Sequence, residues 1–388
     1  MKKILIIHNN YRDTGGEDIA VKNELEFLNF NFKTLFVEES NKSLNIFDIC
    51  SIMLFNMNLR FLFKIRKNVS VFKPDFIYIH NTWFIITPFI IKYFSYKGIK
   101  VVIKLHNFRY FCSSSLLKDR HLVSNSFCRA CGLNFSKRSV FNKYFENSYF
   151  KSMLLWRQNR VLVNSLKNDL NLTIFVLTTF HKNFITSFLG IEENKVVVVP
   201  NYMSQTEGIT KNKKIRQITY AGRISNEKGV ETLIRAFNSI NKDGYILNII
   251  GGGPELIRLQ KLYADSTILF HGQLSNLQAL KIISESNLVI SCTNLYEGQP
   301  TLLCEAVFMK IPIIFPKSGG IEEFFTEDNE LAYEFNINEV DSIEIIAKKL
   351  NLGITNNFKD LAQRNLDKLN KVLDKDKILN AFTEIASG

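Results

Sequence analysis

KILIIHNNYRDTGGEDIAVKNELEFL (residues 3–28) decides the architecture. Ile4 to Ile7 form a short apolar run, the next residues are polar and reach Gly15-Gly16, and from Glu17 onward Val21, Leu25 and Leu28 fall on one helical face. Strand, glycine loop and amphipathic helix in that order open a parallel α/β unit. The alternation continues outward with strands at FKTLFV (32–37), DFIYIH (75–80), KVVIKLH (100–106), TIFVLTT (173–179) and KVVVVP (195–200). SQTEGITKNKKIRQ (204–217) has little to bury and reads as a linker. The pattern restarts with ITYAG (218–222), YILNIIG (245–251), TILFHG (267–272), NLVIS (287–291) and IPIIF (311–315), and a helical tail follows after about residue 340.

The expected fold class is therefore α/β, with two Rossmann-like doubly wound parallel-sheet domains. Residues 1–203 form the first domain and 218–370 the second, while 371–388 form a final helix free to pack back on the first. At 388 residues each half is long enough to bury its own core. In such sheets ligands collect beyond the carboxyl ends of the strands, so the loops there are the place to look for chemistry.

Charge narrows the partners. The chain carries 49 Lys and Arg against 37 Asp and Glu, a balance of +12. Residues 1–203 hold 28 against 14, or +14, and residues 204–388 hold 21 against 23, or −2. The excess is confined to the first half, where KRSVFNKYFENSYFKSMLLWRQNR (137–160) and FNMNLRFLFKIRK (55–67) combine cations with aromatic residues. Such stretches suit either an anionic membrane face or buried helices with snorkelling cations. The longest charge-free stretch, Phe76 to Ile91, contains His80, Asn81 and Pro88 and falls short of the roughly 20 apolar residues of a spanning helix. It reads as a buried strand, a turn and a helix. Met1-Lys2-Lys3 before Ile4 imitates a signal peptide, but His8-Asn9-Asn10 ends the apolar run too early. The expected location is the cytoplasm, peripheral at the inner face of the plasma membrane. Neither a helix-turn-helix nor an aromatic stacking platform is evident, so no nucleic-acid partner is expected.

Three loops carry chemistry. Gly15-Gly16 precede a helix and let backbone N–H groups approach an anion. After ITYAG, the segment GRISNEKGVETLI (222–234) sets Arg223 and Lys228 in the loop leaving a strand, cations suited to a pyrophosphate. In NLVISCTNLYEGQPTLLCEA (287–306) Glu297 lies in a loop, Pro300 sits where a first helical position is expected, and Glu305 is five residues into the helix. The two carboxylates can accept hydrogen bonds from vicinal hydroxyls, and the N–H groups of Gly298 and Gln299 can face phosphate oxygens. A sugar and a ribose flanking a pyrophosphate fit that layout.

With these motifs the chain resembles the family 4 glycosyltransferases of the GT-B fold, in which two such domains face a cleft and nucleotide-sugar donors react with retention. The family's Glu-x7-Glu element is present as EGQPTLLCE (297–305). The resemblance implies that Glu297 contacts the donor sugar and Glu305 the ribose, and that Arg223 and Lys228 after Gly222 bind the pyrophosphate. It further implies that Gly15 and Gly16 form the N-terminal glycine loop, and that His106 in KLHNFRYFC faces the donor sugar across the cleft. Gly252 and Gly253 in IIGGGPE (249–255) would lie near the nucleoside. The family often has Phe or Leu where this chain has Gln299, which leaves the donor sugar open. The resemblance also implies a UDP- or GDP-linked donor, no required cofactor, no catalytic divalent metal, and a lipid-linked or oligosaccharide acceptor in O-antigen or capsule synthesis.

Other features are weighed against that reading. Asp374-Lys375-Asp376, the only Asp-x-Asp spacing, falls in the helical tail and reads as solvated surface rather than a metal site. Cys128 and Cys131 have a metal-knuckle spacing near Cys112 and His121, but one Cys-x2-Cys is half a zinc site. Thiols are the expectation for all six cysteines. A nucleotide-sugar epimerase, or a binding protein without catalysis, would share the donor loops but need no acceptor.

Overall fold

The computed structural model describes residues 1–10, 16–108, 110, 148–204, 215–335 and 339–387. They divide into two compact units, residues 1–203 with 373–388, and residues 204–372.

The first unit runs β1 (Lys3–Asn10), α1 (Gly16–Asn31), β2 (Lys33–Ser40), α2 (Ile46–Phe55), α3 (Leu59–Phe72), β3 (Phe76–Ile79), α4 (Phe89–Tyr96), β4 (Lys100–Leu105), α5 (Tyr149–Asn168), β5 (Leu172–Val176), α6 (Thr179–Leu189) and β6 (Val196–Val198). Its strands form one parallel sheet in the order β2-β1-β3-β4-β5-β6. Ile4 to Ile7 and Phe76 to Ile79 are buried along their whole length, as strands covered by helices on both faces must be. Residues 76–91 resolve as expected into strand, turn and helix. α2 starts at a reciprocal cap between Asn45 and Asp48 and stops at Asn56, which takes the left-handed conformation.

The second unit runs β7 (Gln217–Ala221), α7 (Val230–Asn238), β8 (Ile246–Ile250), α8 (Leu256–Tyr263), β9 (Ile268–Gly272), α9 (Asn276–Glu285), β10 (Leu288–Ile290), α10 (Thr301–Phe308), β11 (Ile313–Lys317), β12 (Ala332–Glu334), α11 (Glu339–Thr355) and α12 (Lys359–Val372). Its sheet, again parallel, has the order β12-β11-β10-β7-β8-β9. β12 has no counterpart in the sequence reading. It is a three-residue edge strand without an apolar run.

The helical tail divides in three, and its last helix, α13 (Lys375–Ser387), belongs to the first unit. Ile378, Phe382 and Ala386 line one face of α13 and join Ile4, Phe76, Tyr78 and Phe175 in a shared core. Asp374 caps this helix, accepting from the backbone N–H groups of Asp376 (2.9 Å) and Lys377 (3.1 Å). The Asp-x-Asp spacing thus has a local use at a helix start.

Each sheet reverses its order once, between β1 and β3 in the first unit and between β7 and β10 in the second. Among the described residues no single helix is long and apolar enough to cross a membrane; α2 and α3 together have the length and composition but are bent by 92°. Most of the expected linker, residues 205–214, lies outside the described residues, as do Cys112, His121, Cys128 and Cys131.

Candidate active site

In the second unit the loops beyond β7, β8, β10 and β11 are tied to one another by backbone hydrogen bonds. The N–H of Gly222 donates to Ile250 O (2.9 Å), that of Ile224 to Gly252 O (2.8 Å) and that of Glu255 back to Ile224 O (3.1 Å). This zipper explains two glycines. A Cβ on Gly251 would overlap Gly222 O and one on Gly253 would overlap Ile224 O, so any side chain there would part the loops. Glycine at Gly253, read from sequence as proximity to a nucleoside, is already required by the neighbouring backbone. The N–H of Gly252 donates to Gln273 Oε1 (3.1 Å).

Arg223 is exposed at the tip of the first loop, and Lys228 closes a short 3-10 turn over Asn226–Lys228. Gly229 then takes a left-handed conformation (φ 67°) to start α7, with its Cα pressed against the carbonyl of Cys292. The N–H of Asn294 donates to Glu227 O (2.8 Å), which fixes the β7 loop to the β10 loop. Across this join the ammonium of Lys228 pairs with the carboxylate of Glu297, both side chains being partly exposed. The backbone of Glu297 is held separately. Its carbonyl accepts from Gly320 N–H (2.8 Å), it bridges Gly319, and Ser318 Oγ donates to Leu295 O (2.7 Å). Ser318-Gly319-Gly320, at the end of β11, is a part of the site that the sequence reading missed.

Beyond Glu297 come Gly298, then Gln299 and Pro300, both buried. Pro300 is the residue before α10 rather than its first helical position, and its carbonyl accepts from Cys304 N–H (3.0 Å). Glu305 is the fifth residue of α10, and burial pushes its carboxyl up to about 7. Folded Glu305 holds its proton to that pH while the unfolded chain releases it near 4.5, so between those values the folded state binds more protons. Stability contributed by this group is full below pH 4.5, falls as pH rises toward 7 and is level above. Chemical denaturation at pH 5 and pH 8 checks this: Glu305→Gln should remove a loss on the order of 2 kcal/mol.

In the first unit the carboxyl ends of β1, β3 and β4 each run into His-Asn: His8-Asn9, His80-Asn81 and His106-Asn107. Glu17, at the start of α1, accepts from Asn81 Nδ2 (2.8 Å) and Asn107 Nδ2 (3.3 Å) and so joins two of these ends. His106 lines a pocket with Glu17, His80, Trp83 and Asn107. Its Nε2 lies 3.1 Å from His80 Nδ1. Burial first, then Lys104, His8 and His181, hold the His106 imidazole well below the ordinary histidine range, so it is neutral near pH 7. Gly16 is exposed at the start of α1, and Gly15 lies outside the described residues. The site residues expected from sequence thus fall into two groups: Gly16 and His106 in the first unit, and the rest of those described in the second.

Comparison with known proteins bears on the fold and on the second unit. Residues 204–371, the second unit almost entire, match the family described as glycosyl transferases group 1. The amylovoran biosynthesis glycosyltransferase AmsD of Erwinia amylovora is 26% identical over 206 residues, covering 50% of this chain and 56% of that protein. The chain spans about half the length of the curated relatives it matches. WaaG, a glycosyltransferase involved in lipopolysaccharide biosynthesis, superposes over 100% of both chains with a TM-score of 0.67 at 11% identity. Anabaena HepE, solved with UDP-glucose, does so over 100% of both with a TM-score of 0.66 at 14% identity. The likeness to these solved structures shows the GT-B fold, and the second unit matches the group 1 glycosyl transferases.

Proposed function

We propose that the protein is a retaining glycosyltransferase that moves a sugar from a UDP- or GDP-linked donor to a hydroxyl of a lipid-linked glycan in bacterial surface polysaccharide assembly, such as O-antigen or capsule. The observation that carries this reading is the meeting of Lys228 and Glu297 beside the order reversal of the second sheet, with Arg223 exposed in the same loop. Breaking the anomeric C–O bond builds negative charge on the departing diphosphate and positive charge on the sugar. Lys228 and Arg223 address the first charge, Glu297 holds the sugar hydroxyls, and Glu305 takes the ribose. When the diphosphate binds it replaces Glu297 as the partner of Lys228 and frees that carboxylate for the sugar. No carboxylate of the first unit is assigned as nucleophile, and attack by the acceptor hydroxyl from the leaving-group face is the expected course. His106 orients the donor sugar. HepE with UDP-glucose and AmsD, named for a polysaccharide, support the donor and acceptor classes.

The test is a thermal-shift screen against UDP- and GDP-sugars followed by assay of nucleoside diphosphate release. A stabilising donor and release that requires an acceptor are expected. Conversion of the donor without any acceptor would instead identify an epimerase.

A membrane-bound acceptor is supported by α2, which buries Ile52 but turns most of its apolar side chains outward. Asp48 and Ser51 are buried, with Asp48 clasped by Arg60 (2.6 and 2.9 Å), while Ile46, Phe47, Leu54 and Phe55 are 81, 58, 72 and 57% exposed. The start of α5 continues this face with Tyr149, Phe150 and Met153, joined to α2 where Arg157 Nη1 donates to Met53 O (2.6 Å). From Ser148 to Asn168 the chain carries Lys151, Arg157, Arg160 and Lys167 and no acidic residue. Exposed apolar residues beside a helix that carries cations and no acid fit an anionic bilayer surface. Sedimentation with phosphatidylglycerol vesicles should show binding at low salt that weakens at high salt and with Ile46→Ser/Leu54→Ser; no binding at low salt removes this reading.

A further inference from the structure

Beneath His106 lies a polar cluster sealed from solvent. The register of β1 on β3 ends with Ile7 opposite Ile79, and the next residues, His8 and His80, bring their rings 5.9 Å apart; Lys104 lies in β4 and His106 just past its end. Glu24 of α1 reaches this face and is wholly buried. Its Oε1 accepts from Lys104 Nζ (2.7 Å) and its Oε2 from Tyr78 Oη (3.0 Å), while His80 Nε2 stands 3.8 Å from the same Oε2. On its other side His80 meets His106, Nδ1 to Nε2 at 3.1 Å. The remaining nitrogen of His106, Nδ1, is buried and meets no hydrogen-bond partner among the described residues.

These contacts bear on where the protons sit. Burial first, then His106, His8 and Lys104, keep the His80 imidazole well below the ordinary histidine range, so both rings of the pair are neutral near pH 7. A neutral imidazole carries one N–H, and the hydrogen bond made by one nitrogen sets the state of the other. At 3.8 Å from His80 Nε2 the Glu24 carboxylate is beyond hydrogen-bond length, and it acts through its charge, which favours N–H over a lone pair at that nitrogen. His80 Nδ1 is then bare, and a bare Nδ1 facing His106 Nε2 at 3.1 Å requires that His106 supply the hydrogen.

We infer that His80 is a positioning residue for transfer: it accepts the Nε2–H of His106, holds His106 in that tautomer, and so sets the imidazole that lines the pocket with Glu17, Trp83 and Asn107. The structural half of this inference concerns the protein alone, and the catalytic half rests on the reading that His106 faces the sugar. Glu24 and Lys104 act one step further back, by setting the orientation of His80.

The first measurement needs no turnover. Ring ¹⁵N shifts of the histidine-labelled full chain at pH 7, with His106 assigned by His106→Gln, should show His106 protonated at Nε2 and bare at Nδ1. The Nδ1–H tautomer, or an imidazolium, overturns the inference whatever reaction the protein performs. The second uses the assay above. His80→Phe fills the same space without an acceptor and should lower kcat about 10–100-fold, the usual range for a group acting through another, with KM within about threefold. His80→Asn places a carbonyl oxygen near the former Nδ1 and should restore most of the loss. A His80→Phe enzyme within about twofold of wild type, or a His80→Asn enzyme no better than His80→Phe, overturns the inference. If no donor is turned over by the wild type, the proposed activity falls while the tautomer measurement still decides the state of His106.

Discussion

Lys228→Ala and Glu297→Ala should each lower kcat by about 10²–10³-fold, the scale on which loss of one preorganised charge near a reacting bond is felt. The fold should survive both changes, because neither loop depends on the side chain that is lost. The turn carrying Lys228 is set by Gly229 against the Cys292 carbonyl and by the hydrogen bond from Asn294 N–H to Glu227 O. The loop carrying Glu297 is set by its backbone bonds to the Gly319-Gly320 segment. The pair itself is partly exposed on both sides, and an ion pair of that kind contributes only about 0–1 kcal/mol to stability. Thermal unfolding should therefore shift little while turnover collapses. The kinetics separate the two roles. Loss of Lys228 removes stabilisation of a charge that is largest in the transition state and should fall mainly on kcat, whereas loss of Glu297 removes sugar contacts present from binding onward and should also raise KM. Full activity in either variant would sink the assignment of that residue.

Much of this site was legible in the sequence because its residues break the local pattern. In a chain whose parallel strands are near-continuous apolar runs, loops bearing Arg223 and Lys228, or Glu297 and Gly298, stand out and fall beyond strand ends. Glu24, Tyr78, His80 and Lys104 do not stand out. Each sits inside an apolar or helical stretch, and only the pairing of β3 with β4 and the packing of α1 on the sheet bring them together. A signal was nonetheless present in the recurrence of His-Asn at residues 8–9, 80–81 and 106–107, each at the end of a strand candidate. The outward apolar face of α2 was illegible for another reason. IFDICSIMLF is apolar almost all round, so its period selects no face until Arg60, twelve residues on, holds Asp48 inside. The placement of α13 has the same character, since Lys100 Nζ donating to Ile385 O joins residues 285 apart.

The second large effect is expected at the buried pair of Lys104 and Glu24. Both side chains are fully enclosed, so Lys104→Met leaves the Glu24 carboxylate without its cation and should destabilise the first unit by about 3–5 kcal/mol. Glu24→Gln leaves Lys104 as a buried cation facing a neutral amide and should cost a similar amount. The double variant is the informative one. Replacing both charges removes the desolvation penalty along with the attraction, and the amide oxygen that Glu24→Gln introduces can still accept from Tyr78 Oη. What remains unmatched is the Pro200 carbonyl, which now accepts from Lys104 Nζ (3.2 Å), and an orphaned buried acceptor costs about 1–3 kcal/mol. Lys104→Met/Glu24→Gln should therefore be less destabilised than the two single changes added together, with a coupling of about 0.5–3 kcal/mol in urea denaturation. Strict additivity would mean that the two charges do not depend on each other. Turnover should not recover with stability, because the double variant no longer presents a carboxylate to His80 Nε2 and the tautomer of His106 loses its anchor. A double variant that regains both stability and wild-type kcat would leave the buried pair with a structural role alone.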